Sequence, residues 1–588
     1  QSEIQANNII VLHPGSTTLW LGRSTDHLPT SYHHVVAWRL PEGCANGPSI
    51  HMVERDGIHH SDSETQRELA LSVVEQAIWS RKSNLGNSRK QHVPATQVAT
   101  YNANVEAELL DEEESSVEWS DVSQKPSCLT GEQALYIDPQ EPYTLLWPMK
   151  HGRLNLHKGP GGSLTSICIA IEAIWSRAIQ TCLKIPLKDL TLYRAVLVVP
   201  DSFAKNHIKE MVKILINGLG FSSVILQQES VSSTFGCGLS SACVVDVGDE
   251  KTSICCVEDG LIVPSSRLWL NYGGRDITHC FYWLMKRVNF PYKECDVNNM
   301  LDAIMLQELK ETFCHLSQEI VGGRVHEFQV HHPRRAPIAY NLKIGDEAMQ
   351  APMAMFFPQL FGIVGQQLLF TADPAYDDPE DLLDDRYLLD VIGFEENVTK
   401  LFGKIRSAIP RRICKTCKRK IDSFSQRGDA SSKKGGQMND SVTENDNGNA
   451  GTPVMSHGAR HRNTAPAASQ ALDQAIITSI ECCSTEDTKR KMYSSILLIG
   501  GGFNFNGAAG VLQARVQSKL PQYFRKMVDQ VEVTAKPKEM DPRTVAWKGG
   551  AILSILDSAQ ELWLTEREWN VIGVRALREK SPFVWSTA

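Results

Sequence analysis

Asp246, at the rim of the glycine-bearing turn in CVVDVGDEKTSICCVEDG (residues 243–260), is the first side chain whose setting suggests chemistry. Val244 and Val245 before it and Thr252 to Val257 after it favour strands, so Asp246-Val247-Gly248-Asp249 reads as a hairpin tip. A carboxylate there can hold a hydrated divalent cation, and the free N–H groups of the tip can face phosphate oxygens. A solvated hairpin turn would use the same residues. Two further tips shift the reading. His13-Pro14-Gly15-Ser16-Thr17 separates the apolar run 9–12 from its return strand 19–22, and Gly500-Gly501-Gly502 ends the buried-strand run 495–499. Three glycine turns, each after a strand and far apart in the chain, outline a split nucleotide pocket built from two related α/β lobes.

The elements that must position these tips surround them. Residues 195–199 form a buried strand ended by Pro200. A helix follows with Ile208, Met211, Val212 and Leu215 on one face, and 223–226 make the next strand. A helix over 230–237 leads into the Asp246 hairpin, and helices over 276–287 and 300–319 follow a turn at Gly273-Gly274. Upstream, Leu164, Ile167, Cys168, Ile171, Trp175 and Ala178 form one apolar stripe of a core helix. Downstream, Trp547-Lys548-Gly549-Gly550-Ala551 opens another helix. From 31 to 128 the pattern weakens to one helix over 64–82, with Leu71, Val74 and Ile78 at helical spacing.

Residues 371–470 break the alternation. Acids crowd 373–396, bases crowd 400–420, and polar residues follow, the composition of a largely disordered insertion. The cluster from Arg411-Arg412 to Lys420 reads as a nuclear-import signal or a weak nucleic-acid contact, with a solvated basic loop as the competing reading. Cys414-x-x-Cys417 has no second CxxC or His pair at finger spacing, so zinc is not expected. A net charge of −8 over 588 residues excludes a chain whose whole surface binds nucleic acid, while leaving room for a local basic patch. The 15 Cys lack regular spacing, which suggests reduced thiols inside a cell. No apolar run reaches the roughly 18 residues of a membrane span, and residues 1–15 lack a signal pattern. An intracellular, soluble chain without a membrane partner is expected; since residue 1 is not Met, so is a preceding segment.

The order of turns resembles the actin superfamily, whose fold is shared with Hsp-seventy chaperones and sugar kinases. HPGSTT at 13–18, QESVSSTFG at 228–236, VDVGDEKTS at 245–253, LKETFCHL at 309–316, MYSSILLIGGG at 492–502 and MDPRTVAWKGGA at 540–551 carry the likeness, and within the superfamily they look like a nuclear actin-related protein. The resemblance implies an α/β, actin-like two-lobed fold, each lobe a mixed sheet flanked by helices, with a nucleotide cleft between them and large insertions. It places 1–32, 149–236 and 545–588 in subdomain 1, 33–148 in an enlarged subdomain 2 at the outer tip of one lobe, 237–272 and 471–544 in subdomain 3, and 273–370 in subdomain 4. It also implies ATP as cofactor. Gly15, Ser16 and Thr17 would cradle phosphate from one hairpin, and Asp246, Val247, Gly248 and Asp249 from the other, with Asp246 as the magnesium anchor. Gly274, Lys310, Glu311, Gly501, Gly502 and Phe503 would line the adenosine side.

The sequence departs from that pattern where catalysis matters. Actin carries an Asp and a Lys on the first hairpin; His13 and Trp20 stand at the matching positions. An imidazole is a poor ligand for hydrated magnesium and an indole is no cation, so charge stabilisation is lost. Glu229 falls where actin uses a Gln to position water. Binding without efficient turnover is therefore expected, with no catalytic residue and no enzyme activity of note. The resemblance further implies a monomeric nuclear scaffold subunit of an INO-eighty class chromatin-remodelling complex. Its partners would be the motor subunit's long helix, actin and a second actin-related protein, core histones in nucleosomes, and DNA. Roles in transcription regulation, DNA repair and recombination would follow. The alternative is a weakly active ATPase that uses Glu229 and Asp246 to drive lobe closure.

Overall fold

Unbroken runs of branched residues form the two central sheets. Ile9, Ile10, Val11 and Leu12 are fully buried, as a strand covered on both faces requires. In the computed structural model, Ile9–Pro14 pairs antiparallel with Thr18–Arg23 through the Gly15 turn, and parallel with Arg194–Val199. Ser223–Gln228 continues the parallel ladder. Thr30–His33 and Leu564–Thr565 close the edges of this six-stranded sheet. The second sheet repeats the plan. Ala242–Val247 pairs antiparallel with Thr252–Glu258 and parallel with Ile496–Ile499, Val533–Thr534 lies parallel beyond, and Leu268–Leu270 joins the far side. Each lobe thus presents one hairpin whose first strand enters a parallel ladder, the two-lobed α/β arrangement expected from the sequence. The description covers residues 6–41, 61–83, 93–110, 117–362 apart from 318, 321 and 334, 369–371, and 470–581 apart from 529. The expected disordered insertion, except Thr371 and Gln470, and its CxxC fall outside these residues.

Leu164–Ala178 continues as a π-turn, Ile179–Leu183, and the combined stretch is long and apolar enough to cross a membrane by length and composition. Its face of Ile167, Ile171, Ile174 and Trp175 instead packs with Ile10, Leu12 and Leu197, the position of a core helix. The opposite face of the first sheet receives Val545–Ser554, where Trp547 and Ala551 meet Ile9, Val11, Val196 and Val198. Against this helix lies Glu229–Cys237, and small residues set the contact. A Cβ on Gly549 would stand 1.5 Å from the Ser232 carbonyl oxygen, and one on Gly236 would stand 2.6 Å from that of Val545. The two helices touch backbone to backbone because neither position carries a side chain.

Residues 33–148 are shared between the lobes, unlike the single outer-tip addition expected. Val36–Arg39, Cys128–Thr130 and Tyr143–Leu146 form a small sheet contiguous with the first lobe. Helix Ser61–Ser83, however, buries Leu71, Val74 and Ile78 in the same core as Phe281 and Leu284 of the second. Arg67 Nε donates to the Leu360 carbonyl at 3.0 Å, and the Arg67 and Arg287 guanidinium groups stand 4.4 and 4.9 Å from the Trp283 ring centre. In helix Ala95–Ala103, buried Asn102 donates to the carbonyls of Val288 and Lys343, both at 3.0 Å, and accepts from Lys343 N at 2.9 Å. Glu108–Leu109 then adds an edge to the sheet of Arg324–Val330 and Ile338–Ile344. The apolar stripe at 71–78 dictates that the helix be covered; it does not say by which lobe.

Candidate functional site

The second hairpin is stitched to the turns that the sequence associated with it. Gly248 N–H donates to the Lys251 carbonyl at 2.8 Å, closing the tip. The Val247 carbonyl accepts from Gly502 N at 2.7 Å, the Gly248 carbonyl from Gly274 N at 2.9 Å, and the Asp249 carbonyl from Arg275 N at 2.8 Å. These approaches need glycine: a Cβ on Gly273 would lie 2.5 Å from the Gly248 oxygen, and one on Gly274 would lie 2.8 Å from Gly502 Cα. Val247, Gly248, Asp249, Gly274 and Gly502 therefore lie together, with Gly501 adjacent in the chain.

The first hairpin has its own buttress. Gly15 N donates to the Thr18 carbonyl at 2.8 Å and His34 N to the Thr17 carbonyl at 2.8 Å. Trp175 Nε1 donates to His34 Nε2 at 3.2 Å, which leaves Nδ1–H of His34 to donate to the Gly15 carbonyl at 2.8 Å. Full burial pushes the His34 pKa down to about 4, so the ring stays neutral and keeps this donor–acceptor pattern.

Charged groups join the hairpins. His13 Nε2 lies 3.2 Å from Glu229 Oε1, and Lys251 Nζ lies 2.8 Å from Glu229 Oε2. Burial alone would raise the Glu229 pKa; the Lys251 ammonium and the bond from His13 overcome it and hold the carboxyl down at about 2. Asp246 moves the other way, pushed up to about 6 by burial and by the Glu229 carboxylate. A second link passes through Glu250. Its carboxylate accepts from His151 N at 3.1 Å and from Arg275 at 2.5 Å, and it is bonded to Ser16 of the first hairpin. Arg275 also pairs with Asp249 at 2.8 Å.

Among the residues expected on the adenosine side, buried Lys310 donates from Nζ to the Gly274 carbonyl at 3.1 Å, while Glu311 is exposed and accepts from Gln307 Nε2 at 2.9 Å. The Arg543 side chain lies against Gly501 and makes a bidentate bond to Asp541. Phe503 is 2% exposed and packs edge-on against Phe356 and Phe505, so its ring belongs to the second-lobe core. Sequence reasoning named neither Lys251, Glu250, Arg275, His151 nor Arg543 as a site residue. Asp-Glu-Lys after a hairpin tip reads as solvated charge, and only the closeness of the two hairpins makes it interior.

The residues present suit a phosphorylated ligand. Two backbone-rich tips face one cleft, and among the described residues His13 Nδ1 and Ser253 Oγ are buried polar atoms with no hydrogen-bond partner. No group of three His, Cys, Asp or Glu among the described residues could hold a metal by itself. A lone carboxylate such as Asp246 suits magnesium that keeps its waters and takes its remaining ligands from phosphate.

A family model for actin matches residues 168–372 and 438–582. Actin-related protein 8 of Bos taurus is 45% identical over 603 residues, covering 99% of this chain and 93% of that protein. Its counterpart in Aedes aegypti is 36% identical over 588 residues, covering 99% and 98%. A solved structure described as human actin-related protein Arp8 in its ATP-bound state aligns with a TM-score of 0.80 at 42% identity, covering 100% of this chain and 98% of that one.

Proposed function

Because this chain belongs to the actin family, in its actin-related protein 8 group, we propose that it is an ATP-binding scaffold of chromatin and not an ATP-consuming motor. The arrangement of Glu229 carries this reading. The carboxylate that could activate a water is already engaged by Lys251 and His13 and is held ionised near pKa 2, far below the range of a useful general base. Trp20 supplies no cation from the first hairpin. The tips at Gly15 to Thr17 and Val247 to Asp249 would bind the phosphates, Asp246 would orient magnesium-bound water, and Lys310, Gly501 and Gly502 would border the adenosine. Bound ATP supplies negative charge that both hairpins can grip. A ligand that binds only the folded chain stabilises it by mass action, about 2.7 kcal/mol at a hundredfold excess over Kd.

In the nucleus, the scaffold would sit with actin and another actin-related protein on a long helix of a remodelling motor, contributing contacts to histones and DNA. Kinship with actin-related protein 8 supports this reading. Affinity capture of the tagged chain from nuclear extract, read by mass spectrometry, should recover the motor subunit. The rival reading, an ATPase driven by Glu229 and Asp246, makes a different prediction. Single-turnover phosphate release as fast as that of the chaperone relatives, abolished by Glu229→Gln, would sink the scaffold reading. The expected outcome is release too slow to distinguish from that of the Glu229→Gln variant.

A further inference from the structure

Lys251 stands on the return side of the second hairpin, yet its side chain turns into the cleft. It is 13% exposed, lies 2.8 Å from Glu229, and lines a small cavity with His151, Asp201 and Ser253. The other oxygen of Glu229 meets His13 at 3.2 Å, so a single carboxylate separates the Lys251 ammonium from the first hairpin. Burial opposes its charge, but Glu229 and then Asp246 hold its pKa above the ordinary value. The other buried cations bordering the hairpins are differently placed. Arg275 is engaged by Asp249 and Glu250, and Lys310 reaches the Gly274 carbonyl beyond the second hairpin. The first hairpin, Ile9–Pro14 and Thr18–Arg23, has Trp20 in register with His13 and offers no ammonium at its tip.

We infer that Lys251 is the cation that meets the terminal phosphate of a nucleoside triphosphate, supplied by the second hairpin because the first has none. Asp201, Glu229 and Asp246 already crowd this end of the cleft with carboxyl groups. A further phosphate would be repelled there without a positive charge between the tips. Glu229 then positions Lys251, and the pair makes the site selective for a triphosphate over a diphosphate. This inference rests on the nucleotide reading above.

Calorimetric titration of the full chain with ATP and with ADP, in magnesium and after removal of co-purified nucleotide, tests it. The wild type should prefer ATP. Lys251→Met should weaken ATP about tenfold or more while changing ADP by no more than about twofold, the scale of one charge-assisted contact. Lys251→Arg should restore most of the preference. Because Lys251→Met leaves a buried carboxylate without its ammonium partner, which destabilises the fold by itself, Lys251→Met/Glu229→Gln is titrated alongside. A wild type that binds neither nucleotide overturns the nucleotide reading and this proposal with it. A wild type that binds ATP, with the double variant keeping the wild-type ATP-to-ADP ratio, overturns the role of Lys251 alone.

Discussion

Removing one member of the Glu229–Lys251 pair leaves an uncompensated buried charge, which costs about 3–5 kcal/mol where the partner cannot reach water. Lys251→Met alone should therefore lower the denaturation midpoint sharply in nucleotide-free protein, and adding Glu229→Gln should recover most of the loss. Chemical denaturation of the three proteins at pH 7 checks this double-mutant relation. His34 makes a different prediction. Its folded pKa of about 4 lies below the unfolded value of 6.5, so protons bind the unfolded chain first as pH falls. Its contribution is fully present above pH 6.5 and is lost progressively down to pH 4, amounting to about 2 kcal/mol by pH 5. His34→Gln should flatten this part of the curve, seen as a smaller drop in thermal midpoint between pH 7 and pH 5. Asp201 and Asp246, both raised to about 6, act in the opposite sense, so the comparison is between variant and wild type rather than on one curve.

At the scale of elements, the contact between Glu229–Cys237 and Val545–Ser554 is the least forgiving. Gly549→Ala forces a methyl group to 1.5 Å from a carbonyl oxygen and should cost about 3 kcal/mol or more, since neither helix backbone can yield alone. Gly510→Ala is the matched control. It lies in helix Ala508–Lys519 with nothing within 4 Å of the added Cβ, and should stabilise by about 0.5–1 kcal/mol. Urea denaturation of both variants tests the contrast. The same packing logic explains what the sequence disclosed. Gly15, Gly248, Gly274 and Gly502 were legible because turns and close backbone approaches restrict residue choice, and Leu71, Val74 and Ile78 because helical spacing marks a buried face. Lys251 and Glu250 were not, since a charge after a hairpin tip is ordinarily solvated and only tertiary placement buries it. The place of Phe503 beside the Gly-Gly turn was legible because it is local, whereas its ring packing against Phe356 was not, since it depends on a segment nearly 150 residues away.

At the scale of the molecule, the two sheets with one strand plan explain why chemistry collects between them: each contributes a tip, and neither tip alone holds enough donors. None of the described residues placed at the site lies between 372 and 469, so deleting that stretch should leave the ATP-induced rise in thermal midpoint unchanged. A smaller shift in the deletion protein would place part of the site within it. Residues 36–146 have a further consequence. They leave the first lobe, dock Leu71, Asn102 and the Glu108–Leu109 edge on the second, and return to a small sheet that touches Met300 and Ile304. One stretch of polypeptide thus has elements docked on both lobes, like lacing across a boot. Prising the lobes apart would first require unlacing, a cooperative local unfolding rather than a hinge swing. For a captured nucleotide, residence time would then follow the rate of that unlacing. Two proteins of equal affinity could then differ in exchange rate according to how tightly Arg67 and Arg287 grip Trp283.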